Sequence, residues 1–146
     1  MYREIRSAED LHGAEFDWLA CDADGHVALF SSAGGGYIPW PAWQQADAHV
    51  AAIDAILALP PSTAPRFAPQ LGAGFENTWL QATERGLFAF DSHPNGGPYR
   101  LVAAPETHVP AAELPAPAID VLKHLHYRHL HFAVATEIST DALQRQ

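Results

Sequence analysis

Apolar and polar positions alternate with a period of two in two runs near the start of the chain, Phe16 to Cys21 and Val27 to Ser31. That period marks extended backbone, because successive side chains of a strand point to opposite faces. Between the runs stands Asp22-Ala23-Asp24-Gly25, where glycine supplies the positive φ of a tight reversal and the aspartates can accept hydrogen bonds from turn backbone. The pattern predicts a β-hairpin, and its mostly apolar faces place that hairpin at the centre of a sheet.

From Pro41 to Leu59 the period lengthens to that of a helix. Trp43, Ala46, Val50, Ile53 and Leu57 fall on one stripe, with Gln44, Asp47 and Asp54 opposite. Pro41 suits a first helical turn, and Pro60-Pro61 closes the segment. Residues 60–74 read as a loop. A second helix is predicted over Phe75 to Arg85, with Phe75, Trp79 and Ala82 inward and Gly86 as its stop. Leu87 to Asp91 and Tyr99 to Ala104 form a second hairpin around a Pro-Asn-Gly-Gly reversal. A third helix is expected from Pro115 to about Tyr127, with Ala118, Ile119, Leu122 and Leu125 inward. Leu130, Phe132 and Val134 then alternate as a last short strand. Residues 1–14 read as a loose lead-in and 137–146 as a surface tail. The expectation is one α+β domain over residues 1–146, an antiparallel sheet built from hairpins with two or three helices packed on it.

Composition agrees with a folded domain. The chain has 146 residues, enough for one core, and its 48% hydrophobic and 17% charged content is that of a globular protein. Cys21 is the only cysteine, so no internal disulfide can form. No apolar run reaches the length of a membrane span, and the N-terminus lacks the apolar core of a secretory signal, which points to a cytoplasmic protein without a membrane partner.

Charge changes the picture more. The formal net charge is −9, and no Lys or Arg occurs between Arg6 and Arg66, a span that holds Glu9, Asp10, Glu15, Asp17, Asp22, Asp24, Asp47 and Asp54. An unbroken acidic half repels phosphate backbones, which argues against nucleic acid. It favours a partner protein with a basic surface, and it also serves solubility. Asp17, Asp22, Asp24, Asp47 and Asp54 are therefore the candidate contact residues. Trp40, between Pro39 and Pro41, either staples the helix to the hairpin or sits in a partner interface.

Candidate chemistry is sparse. The glycine run after Ser31 lacks the Lys-Ser or Lys-Thr pair of a phosphate loop, and Asp22 to Ala33 departs from a calcium loop at its sixth position, Val27, and its twelfth, Ala33. No nucleophile elbow occurs. In the run His124-Leu125-His126-Tyr127-Arg128-His129-Leu130-His131, an extended backbone would let His129 and His131 share a metal, with Asp120 or Glu106 as carboxylate ligands. No third ligand is specified, and the reading that takes these histidines as structural expects no metal and no cofactor.

The stretch Asp17-Trp18-Leu19-Ala20-Cys21-Asp22-Ala23-Asp24-Gly25-His26-Val27-Ala28-Leu29-Phe30, followed by Ser31-Ser32-Ala33-Gly34 and Pro39, resembles the N-terminal signature of small bacterial immunity proteins from polymorphic and contact-delivered toxin systems. Arg85 to Asp91, Pro98 to Pro105 and Glu113-Leu114-Pro115 fit the same likeness. The resemblance implies a cytoplasmic protein that neutralises a cognate toxin by binding it, without catalytic residues, and it transfers no contact positions. A small histidine-dependent metalloenzyme and an acidic adaptor domain are the alternatives.

Overall fold

The computed structural model describes residues 13, 15–67 and 78–145. The predicted first hairpin is present: β1 (Asp17–Asp22) pairs antiparallel with β2 (Val27–Ser31), and Gly25 turns between them at φ +80°. Two helices follow, α1 (Trp40–Gln44) and α2 (Ala46–Leu57), then β3 (Pro65–Phe67), α3 (Thr78–Thr83), β4 (Phe88–Asp91) and β5 (Tyr99–Pro105). A single 3-10 turn precedes α4 (Ala116–Leu122), and β6 (His126–Tyr127), β7 (Glu137–Ile138) and α5 (Thr140–Gln144) complete the chain.

The sheet runs β3-β5-β4-β2-β1-β6, with β7 on β5. It is α+β and mostly antiparallel, with β1/β2 and β4/β5 as the two predicted hairpins. It is nevertheless mixed: β2 runs parallel to β4 and β1 parallel to β6. A parallel pair needs a long crossover. Here that crossover is the stretch from α1 through α3, which returns the chain to β2's free edge.

Strand alternation sorts the core into two layers. Trp18, Ala20, Ala28, Phe30, Phe88 and Phe90 point to an aromatic face where Trp18 stacks on Phe30 with ring centroids 4.2 Å apart, and Tyr99, Tyr127 and Phe132 complete it. Leu19, Cys21, Val27 and Leu29 point to an aliphatic face covered by Ala52 and Ile56 of α2 and Ala118, Val121 and Leu122 of α4. Cys21 belongs to this layer, and burial pushes its thiol up to about 11, so it is an inert apolar group.

Several expectations change. The helix predicted over Pro41 to Leu59 breaks at Gln45, whose φ of −113° and ψ of 41° are not helical. The buried stripe of α2 is Ala46, His49, Ala52 and Ile56, so Val50, Ile53 and Leu57 sit half-buried on its flank. The rotation has a cause at β1. Leu19 N–H faces the strand's outer edge, which β6 does not reach, and His49 Nδ1 accepts from it at 3.1 Å. Further along the same edge, Cys21 N–H donates to Leu125 O and Ala23 N–H to Leu130 O. His49 thus stands in for a strand partner. Burial pushes its pKa down to about 4, which keeps the ring neutral and Nδ1 a lone-pair acceptor.

Helix α3 ends at Thr83 rather than Arg85, and Phe75 lies outside the described residues, as do residues 1–12 and 14 of the lead-in. The loop expected over 60–74 contains β3, with residues 68–74 outside the described set. Helix α4 ends at Leu122 rather than Tyr127. Leu130 to Val134 is not a strand: Leu130 N–H returns to Tyr127 O and Val134 N–H to His131 O as successive turns, leaving Val134 82% exposed. The expected surface tail instead supplies β7 and α5, which bury Ile138 and Leu143.

Candidate functional site

Strand register builds one polar row at the end of the aliphatic face. Asp17 of β1 pairs with Ser31 of β2, and Ser31 pairs with Asp91 of β4, so the three side chains project on the side of Leu19 and Leu29. Trp79 of α3 donates from Nε1 to Ser31 Oγ at 3.0 Å, and the Ser31 hydroxyl hydrogen-bonds the Asp17 carboxylate. The other Asp17 oxygen, Oδ1, is buried without a hydrogen-bond partner.

Beside this row lies a groove of about 410 Å³, lined by Glu15, Phe16, Asp17, Val50, Ile53, Asp54, Leu57 and Thr78. Its wall is the flank of α2 displaced from the core by the rotation described above. Three carboxylates and no Lys or Arg stand among these residues. Burial pushes Asp17 up to about 6, opposed by the Ser31 hydroxyl and reinforced by Glu15. Burial likewise raises Asp91 to about 6; the Ser92 backbone N–H opposes this, while the charges of Glu15 and Asp17 add to it.

At neutral pH both carboxylates are held ionised in surroundings that disfavour the charge. Carboxylates perturbed in this way occur at binding and catalytic sites and in structural networks alike. With a folded pKa near 6 against an unfolded value of 3.8, Asp17 destabilises the fold above pH 6 and ceases to do so as pH falls toward 3.8. Asp17→Asn, which removes the charge and retains an acceptor for Ser31, is expected to stabilise the protein by about 1 kcal/mol at pH 7.5, a figure discounted for partial exposure. The gain should vanish at pH 4. Urea midpoints at the two pH values check this, and a loss of stability at pH 7.5 would refute it.

The structure divides the acidic candidates. Asp17 and Asp54 share the groove, joined by Glu15. Asp47 and Asp54 are exposed one heptad apart on α2. Trp40 is 56% exposed with its ring edge-on to Trp43, so it is not the buried staple that one of the two readings required. Asp24 is about half exposed at the far end of β1 and accepts from His131 Nδ1 at 2.8 Å, which lowers the Asp24 pKa and raises that of His131.

Asp22 is corrected outright. It is fully buried and its carboxylate accepts three backbone N–H groups, so it cannot lie on a contact surface. Nor does an extended backbone bring His129 and His131 to a shared metal: His129 Nε2 meets Ala142 O at 2.8 Å while His131 is taken by Asp24. Sequence reasoning passed over Asp91 and did not single out Glu15. Asp17 was recognisable as a polar residue in phase with Leu19 and Cys21, but its neighbours came from strands whose pairing is not local.

Among the described residues no helix is long and apolar enough to cross a membrane. Comparison of the chain with protein-family models, with curated proteins and with solved structures finds no match in any of the three.

Proposed function

We propose that this chain is an immunity-type protein that binds and neutralises a cognate bacterial toxin in the cytoplasm, without chemistry of its own, by receiving a basic side chain of the toxin in the acidic groove. The observation that carries the reading is the groove itself: Glu15, Asp17 and Asp54 around an apolar wall, with no cation among its described lining residues. A guanidinium or ammonium with an aliphatic stem suits both parts of that lining. Asp47 on the exposed face of α2 extends the negative potential, and Trp40 offers the kind of exposed aromatic that anchors interfaces. The resemblance of the Asp17–Gly34 stretch to immunity proteins supports the same reading, and a basic toxin surface would be steered toward it.

The test uses the toxin that such a system encodes immediately before its immunity protein. Wild-type chain should bind it and abolish its activity. The double variant Glu15→Gln, Asp54→Asn should associate about tenfold more slowly at 10 mM salt and nearly normally at 0.5 M, where screening removes steering. Trp40→Ala should weaken binding about tenfold or more through faster dissociation. Association rates that ignore both the substitutions and the salt would overturn the groove's role; a toxin left unbound and active by the wild-type chain would overturn the immunity reading.

A further inference from the structure

At the other end of β1, the hairpin turn gathers a second set of donors that partner binding does not use. Asp22, Asp24 and His26 each place a ligand atom within 4.8 Å of the others. His26 Nδ1 is buried without a hydrogen-bond partner and lies 3.7 Å from Asp22 Oδ2. Asp22 Oδ2 accepts one N–H, from Phe132 at 2.7 Å, which leaves it a lone pair; Oδ1 is filled by the N–H groups of Asp24 and His26. His131 reaches the same corner from the turn after β6, with Nδ1 2.8 Å from Asp24 Oδ2.

We propose that this corner is a binding site for a borderline divalent transition metal, zinc above all, with Asp22 Oδ2, an Asp24 carboxylate oxygen and His26 Nδ1 as the clustered ligands and His131, held against Asp24, turning in as the fourth. Zinc bonds of about 2.0–2.2 Å set neighbouring tetrahedral ligands about 3.3–3.6 Å apart. The 3.7 Å between His26 Nδ1 and Asp22 Oδ2 is close to that value and the ligand atoms of Asp22, Asp24 and His26 all lie within 4.8 Å of one another, so small side-chain rotations gather these three, while His131 swings inward from its place on Asp24. Two imidazoles with two carboxylates select zinc, cobalt or nickel over magnesium or calcium, which prefer all-oxygen shells. The hydrogen between His131 Nδ1 and Asp24 must move before Nδ1 can bind metal, to Nε2 of the same ring or to solvent. The turn is held before metal arrives: the backbone N–H groups fix the Asp22 carboxylate, and the His26 ring packs 4.0 Å from that of His108, centroid to centroid.

The experiment titrates the full chain with ZnCl2 by calorimetry and with Co²⁺ by visible absorption. The expected result is one equivalent bound, a visible Co²⁺ band indicating nitrogen ligation, and a rise in thermal midpoint with Zn²⁺. His131→Ala, at an exposed position, and His26→Gln, which preserves volume, should each weaken Zn²⁺ binding about tenfold or more, as should Asp24→Asn; His129→Ala should not. Circular dichroism establishes that each variant is folded, and His131→Ala suffices if His26→Gln is not. Weak binding without a defined stoichiometry would overturn the proposal. So would one-to-one binding that survives His131→Ala, or displacement of Zn²⁺ by millimolar Ca²⁺.

Discussion

Replacing Asp22 with alanine is expected to cost the fold about 4 kcal/mol, an effect that comes from hydrogen bonding rather than surface charge. The carboxylate is fully buried and accepts from Asp24 N at 2.9 Å, His26 N at 2.9 Å and Phe132 N at 2.7 Å. Alanine leaves these three donors without an acceptor, and each stranded donor costs about 1–3 kcal/mol. The loss spreads, because the Phe132 bond ties the turn after β6 to the hairpin, and Phe132 packs against Phe30 and Phe90 in the aromatic layer. At about 2–4 °C per kcal/mol for a domain of this size, the thermal midpoint should fall by about 8–16 °C. Asparagine keeps one acceptor oxygen but turns its NH2 toward a backbone N–H, so Asp22→Asn should recover only part of the loss. Asp120→Ala, at an exposed helical position, is the control and should leave the midpoint unchanged. An Asp22→Ala midpoint equal to that control would show that the hairpin turn and the segment around Phe132 are not held by this carboxylate.

The same residue marks where sequence stops being sufficient. Asp22 is legible as a turn residue because its bonds to Asp24 and His26 are local, two and four positions away. Its bond to Phe132, 110 positions away, is not. That long-range bond is also why the alternation of Leu130, Phe132 and Val134 misleads. Phe132 enters the core from a series of turns pinned by a buried carboxylate, without a strand partner. The two hairpins are legible because period-two patterning and turn chemistry sit in the same short stretch. The parallel pairs β2/β4 and β1/β6 carry no such signal, and the row of Asp17, Ser31 and Asp91 exists only through the first of them. The groove depends further on the turn of α2 about its axis. A helical stripe read from apolar residues alone selects Val50, Ile53 and Leu57, but His49, bonded to Leu19 N–H, takes the buried side and leaves those three to line the groove.

The glycine run after β2 separates two physical accounts of one composition. Its sequence reads as a flexible connector, in which any single substitution would be nearly neutral. In the fold it is packed against the loop between β4 and β5. A methyl group on Gly35 would fall inside the Pro94 carbonyl and 2.7 Å from the Gly96 nitrogen, backbone atoms that cannot rotate away. Gly35→Ala must therefore push the two loops apart, and the displacement reaches Ser92, which donates its N–H to Ser31 O, and Tyr99, whose hydroxyl bridges Trp18 Nε1 and Tyr37 O. The expected cost is about 3 kcal/mol. Two positions earlier the sign reverses. Ala33 holds φ at 55°, a left-handed conformation that costs an alanine about 1–2 kcal/mol and a glycine almost nothing. Ala33→Gly should thus stabilise, by about 0.5–1 kcal/mol once the added freedom of the unfolded chain is subtracted. Chemical denaturation of both variants decides between the accounts: opposite signs mark a segment locked by packing, whereas two shifts near zero would return it to the role of a connector and remove the support it lends to Tyr99 and the aromatic layer.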